Sequence, residues 1–196
     1  MPRLLLATRN AHKTREFAQI LAPGCQVSDL SSAPDVPKVE EDGQTFEENA
    51  ILKAVAVSRA VTGLVVADDS GLEVAALCGA PGVYSARYAG EAARDEENVA
   101  KLLSDLAVIK LERTDRRARF CCALALACRG ELITVFHGQV AGVIAERPRG
   151  DQGFGYDPVF IPAGFDQTFA ELGDAVKNQI SHRARAIAGL REFLVG

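Results

Sequence analysis

The sequence predicts an α/β protein built on a mixed β-sheet. Short apolar runs alternate with helical patterns through the first third of the chain, which marks βα units. Two longer strand-like runs, 116–128 and 131–140, flank Arg129-Gly130 as a β-hairpin. A hairpin among βα units makes the sheet mixed rather than purely parallel. The central run, Leu64-Val65-Val66-Ala67, leads straight into Asp68-Asp69-Ser70-Gly71. Asp is disfavoured inside strands, so this reads as a strand tip with Gly71 as the turn. Ligands of open α/β sheets bind beyond such tips, and paired carboxylates there suit a divalent cation or a proton-abstracting base.

Each element has its own signal. Residues 3–7 form a first strand buried on both faces. The spacing of Phe17, Ala18 and Leu21 predicts a helix over 11–22, ended by Pro23-Gly24. Residues 25–30 make a second strand. A loop over 31–43, with Pro34 and Pro37, carries Glu40, Glu41 and Asp42. Thr45 and Glu48 form a capping box for a helix to 62, stopped by Gly63, with Phe46, Ala50, Ala54, Val57 and Val61 as its apolar stripe. Residues 72–77 continue as a further strand or short helix, and 79–90 is punctuated by Gly and Pro. Asp95 caps a helix to 106. The charged segment 111–117 is a surface connection. Residues 142–146 extend the hairpin, and 150–158 is a glycine-rich loop. Ser181 caps the last helix, with Ala184, Ile187, Leu190, Arg191 and Leu194 along one side.

At 196 residues the chain fits one domain, or one domain of two lobes, and can bury a core unaided. Its 48% apolar and 24% charged content is that of a soluble globular protein. A net charge of −4 argues against bulk attraction to nucleic acid or anionic membrane. The five cysteines, Cys25, Cys78, Cys121, Cys122 and Cys128, contain no Cys-x-x-Cys and read as small hydrophobes of a reducing cytosol. The N-terminal apolar run, Leu4 to Ala7, is too short for a signal-peptide core, and the longest apolar stretch, Cys121 to Cys128, is far below a membrane span, so the chain reads as cytoplasmic.

Four constellations bear on chemistry. Thr8-Arg9-Asn10-Ala11-His12-Lys13 occupies a strand-to-helix turn, where unpaired N–H groups and the helix dipole favour phosphate. It lacks Walker glycines, and the plainer alternative is an N-cap before a solvated helix. Glu40-Glu41-Asp42 is either a solvated acidic run or the source of one metal ligand beside Asp69. Mg²⁺ takes one or two protein carboxylates plus substrate phosphates, a set that residues 8–13, Glu40 and Asp69 would supply. Gly153-Phe154-Gly155-Tyr156-Asp157-Pro158 offers close backbone approach and a flat aromatic face for a base, or else a tight turn with core aromatics. Lys177 and Ser181-His182-Arg183 gather cationic donors at the last helix, where His182 alone would read as a surface residue. Three histidines without a paired motif, and no nucleophile–His signature, argue against zinc hydrolysis and acyl transfer.

Taken together these segments resemble the inosine triphosphate pyrophosphatase family. The likeness rests on residues 7–13, 41–50, 67–72, 79–88, 153–158 and 180–183 and spans nearly the whole chain, 1–196, as one catalytic domain. It implies an elongated two-lobed α/β fold with an active-site cleft between the lobes, Mg²⁺ as cofactor, and a homodimer. It implies hydrolysis of ITP, dITP and XTP between the α and β phosphorus, clearing them from the nucleotide pool. In matching positions, Thr8, Arg9, Asn10, Ala11, His12 and Lys13 would hold the triphosphate. Glu40 and Asp69 would hold the metal, Asp69 would also be the base, and Ser70 would touch substrate. Phe154, Gly155, Tyr156, Asp157, Lys177, His182 and Arg183 would form the base pocket. Lys177 and Arg183 donors suit a 6-keto purine and leave the adenine amino group without a partner.

Two other readings compete. A septum-associated nucleotide pyrophosphatase of different base preference is disfavoured by Gly153–Asp157 and Ser181-His182-Arg183. A catalytically silent nucleotide sensor is disfavoured by Asp69, Glu40 and Lys13, since a pure binder could dispense with a base.

Overall fold

The computed structural model describes residues 3–109 and 116–195. Most of the expected surface connection, 111–115, lies outside them.

Six strands form one sheet in the order β2-β1-β3-β4-β5-β6. They are β1 Arg3–Leu6, β2 Gln26–Asp29, β3 Leu64–Val74, β4 Arg117–Cys128, β5 Glu131–Ile144 and β6 Phe160–Pro162. β1 pairs in parallel with β2 and β3, whereas β5 and β6 are antiparallel, so the sheet is mixed as predicted. The helices are α1 Ala11–Leu21, α2 Phe46–Ala60, α3 Asp95–Val108, α4 Phe169–Ile180 and α5 His182–Val195. α4 and β6 carried no expectation. The signal for α4 was nonetheless present: Thr168 and Glu171 form a capping box like that of Thr45 and Glu48. The hairpin turns through Arg129 and Gly130, with φ of +54° and +83°, the left-handed pair that a two-residue hairpin loop requires.

Two local expectations need correction. Asp68 and Asp69 are not at a strand tip, and Gly71 is not a turn. β3 continues to Val74, with both acids and Gly71 inside it. Strands exclude Asp because an unpaired charge there is costly, and here both charges are paired. At α3, Asp95 is the first helical residue rather than the cap. Arg94 precedes it and donates its backbone N–H to Glu97 at 2.7 Å.

The chain divides into two compact units. The first comprises 1–69, 122–138 and 182–196, and the second 70–121 and 139–181. The first packs two apolar layers. One joins Phe17, Leu21, Leu124, Ile187 and Leu190, and the other joins Ala50, Ala54, Val57, Val65 and Ala67. The second unit is centred on Leu72, Leu102, Phe120, Phe160 and Phe169, with Phe160 and Phe169 stacked at 5.4 Å. Within the first unit Gly138 admits α5 against β5, for a Cβ there would lie 2.0 Å from the His182 carbonyl oxygen. Of the cysteines only Cys122 is buried, while Cys78 is exposed.

Candidate active site

The first unit gathers its charges around β3. Asp68 is fully enclosed. Its Oδ1 accepts from Lys13 Nζ, and its Oδ2 accepts from Arg183 Nε at 3.0 Å and from the Cys122 thiol at 3.2 Å. Arg183 Nη1 reaches Glu16 at 2.5 Å, so a chain of alternating charge runs from α1 through α5 to β3 and back to α1. Burial alone would raise the Asp68 carboxyl. Arg183 and Lys13 outweigh it and hold the group well below the usual carboxylate range.

Asp69 differs. Lys53 Nζ lies 3.0 Å from its Oδ1, 3.1 Å from Glu41 Oε2 and 2.9 Å from the Asp68 carbonyl oxygen. Burial pushes the Asp69 carboxyl up, and Lys53 and Lys13 offset this only in part. Glu41 is less enclosed, and Lys53 overcomes its burial to hold it low. A buried acid with a raised pKa is a stronger proton acceptor than a solvated carboxylate, and such perturbed groups mark candidate sites.

Glu41, not Glu40, is the acid brought to Asp69; Glu40 is exposed. Lys53 was missed by sequence reasoning, yet it is one α2 turn beyond Asn49 on the buried side of that helix. Asp68, for which the resemblance implies no role, holds Lys13.

The turn after β1 forms as expected. Asn10 caps α1, its side chain accepting from the backbone of His12 at 2.9 Å and Lys13 at 3.3 Å. The Thr8 hydroxyl accepts from the Asn10 N–H, and Arg9 donates to the Val36 carbonyl at 2.7 Å. Ala11 and His12 are exposed on the first turn, and Ser70 is half-buried on β3.

The second unit brings together Phe154, Asp157 and Lys177. Lys177, 2% exposed, places Nζ 2.5 Å from Asp157 Oδ2 and 4.5 Å from the centre of the Phe154 ring. Asp157 Oδ2 also accepts the Phe154 N–H at 2.9 Å. A Cβ on Gly153 would fall 2.1 Å from that carboxylate oxygen, and its φ is +78°, so glycine is required there. The Gly155 N–H donates to Asp95 at 2.6 Å, and the buried Tyr156 hydroxyl donates to the Ser85 carbonyl oxygen. Thus Tyr156 is a loop anchor, and Phe154 presents the ring. His182 and Arg183 belong to the first unit, where both are buried.

The fold and these two charge clusters define a class: a mixed-sheet α/β protein with lysine-paired carboxylates built into its central strand. Comparison with known proteins gives the particular lineage. The chain belongs to the Ham1 family, whose model matches residues 4–193. It is 51% identical over 195 residues to a dITP/XTP pyrophosphatase of Bacillus subtilis, covering 99% of this chain and 98% of that protein. A dITP/XTP pyrophosphatase of Geobacter sulfurreducens is 52% identical, with 99% and 97% covered. Among solved structures, a HAM1 protein from Coxiella burnetii superposes with a TM-score of 0.88 at 40% identity, covering 100% of this chain and 99% of that one. The Staphylococcus aureus Ham1 protein gives a TM-score of 0.85 at 47% identity, covering 99% and 98%.

Proposed function

We propose that this chain, acting as one catalytic domain over 1–196, hydrolyses non-standard purine nucleoside triphosphates such as dITP, XTP and ITP to the monophosphate and pyrophosphate. The carrying observation is Asp69, a buried carboxylate with a raised pKa held between Lys53 and Glu41. Full-length relatives bearing the dITP/XTP pyrophosphatase name supply the substrate class.

The residues present fit a divalent cation. Glu41 and Asp69 offer hard carboxylate oxygens around one lysine, and Mg²⁺ typically takes one or two such ligands and completes its shell with substrate phosphate and water. When bound, it would neutralise phosphate charge. The protein residues do the rest. Residues 8–13 and Lys13 orient the triphosphate. The water oxygen bonds to the α-phosphorus, its proton passes to Asp69, and the α–β anhydride oxygen leaves with pyrophosphate. Ser70 contacts substrate. Phosphoryl transfer asks mainly for such positioning and charge balance.

For the base, Phe154 supplies a stacking face and Lys177 a donor to the 6-keto oxygen, with Gly155, Tyr156 and Asp157 shaping the loop. His182 and Arg183 stay in this set on the strength of their motif. The homodimer and the cytoplasmic location likewise rest on the family resemblance; among the described residues no helix is long and apolar enough to cross a membrane.

The test is incubation with ITP, XTP, dITP, ATP and GTP plus Mg²⁺, followed by identification of the phosphate product. Pyrophosphate from the first three, with ATP far slower, is expected. Orthophosphate as the primary product, or equal rates with ATP, would reject the reading. Binding without turnover would favour the sensor.

A further inference from the structure

Asn49, the fourth residue of α2, is 1% exposed and faces the acid cluster. A buried amide must satisfy both of its ends. Its Oδ1 accepts the Gly43 N–H at 2.8 Å, and its Nδ2 donates to Asp69 Oδ2 at 3.3 Å. The orientation follows from the network: a backbone N–H can only donate, so the carbonyl faces Gly43 and the amine faces Asp69. The other oxygen of Asp69 takes Lys53. Both oxygens are therefore held from α2. Gly43 lies two residues beyond Glu41, so the same amide fastens the loop that carries Glu41. The approach is close: a Cβ on Gly43 would lie 2.7 Å from Asn49 Oδ1 and 3.0 Å from its backbone nitrogen. No step of the reaction above uses either residue.

We propose that Asn49 is a positioning residue, whose amide fixes the rotation of the Asp69 carboxylate and ties the Glu41 loop to it. The two acids then meet Mg²⁺ and the attacking water in one arrangement. An amide serves better than a second acid because it donates to Asp69 without adding negative charge. The proposal rests on the metal reading given above.

Asn49→Ala and Gly43→Ala break this contact from opposite ends, the second through a loop position that can shift without emptying the core. Hydrogen exchange at Gly43 is read in protein free of metal and nucleotide, and the Mg²⁺ midpoint, kcat and KM are read with ITP. In both variants the amide of residue 43 should exchange faster than the Gly43 amide of the wild type. The Mg²⁺ midpoint should rise or kcat fall by about tenfold or more, the usual effect of losing a residue that orients a metal ligand. KM for ITP should change little, and the double variant should be no worse than the worse single one. Faster exchange with unchanged Mg²⁺ midpoint and kcat would overturn the proposal, as would fully multiplicative effects. Turnover by the wild type in excess chelator would reject the metal reading instead, and the kcat of the variants would then decide the positioning role alone.

Discussion

Side by side on β3, Asp68 and Asp69 face different partners, and two predictions follow from the difference. Asp68 is held by two cations, Lys13 and Arg183. Removing one partner of a buried ion pair leaves uncompensated charge, so Asp68→Asn should cost about 3–5 kcal/mol in urea unfolding at pH 7. A loss under about 1 kcal/mol, the scale of a surface pair, would contradict this. Its folded pKa is depressed, so its contribution is present above the unfolded value, about 3.9, and disappears as pH falls below it. The gap between wild type and variant should therefore narrow below about pH 4. Asp69 has the opposite sign. Its raised carboxyl loses stability as pH rises through its folded pKa. Asp69→Asn should keep the fold while losing nearly all turnover; near-wild-type rates would remove Asp69 as the base. In the sequence only the family resemblance separates the two acids, because their partners stand 16 to 115 residues away.

At the scale of elements, local chemistry was legible at several places where a side chain bonds to its own neighbourhood, though the Thr168–Glu171 box of α4 went unread and the start of α3 was misplaced by one residue. The Asn10 cap, the Thr45–Glu48 box and the Arg129-Gly130 hairpin each involve groups within a few residues. The end of β3 was not legible, since what tolerates two acids in mid-strand comes from α1, α2 and α5. The two capping boxes allow a direct comparison. Thr45 is exposed, so Thr45→Ala should cost about 1 kcal/mol. Thr168 is fully buried and also donates to the Arg149 carbonyl oxygen at 2.8 Å, which would lose that donor. Thr168→Ala should cost roughly 2 kcal/mol or more, and Thr168→Ser should recover most of it. Equal losses at the two sites in thermal melts would show that the Arg149 bond contributes nothing.

For the molecule as a whole, β3, β4 and β5 each run through both compact units. Loss of one apolar core should then fray strands that belong to the other. Leu124→Ala in the first unit should cost about 2–5 kcal/mol, and Phe160→Ala in the second about 3–5 kcal/mol. Both should lower a single calorimetric transition; two resolved transitions would mean the units unfold separately. The sequence by itself determined the α/β class, the capped helices, the hairpin and the segments that mark the family, because periodicity, caps and turns are properties of neighbouring residues. Only the tertiary structure decided that Asp68 is the anchor of Lys13 and Asp69 the raised acid. It alone brought Glu41 rather than Glu40 to Lys53, and directed the Arg183 fork to Asp68 and Glu16. Burial and pairing set a carboxylate's pKa, and both arise from contacts between distant segments that no local pattern encodes.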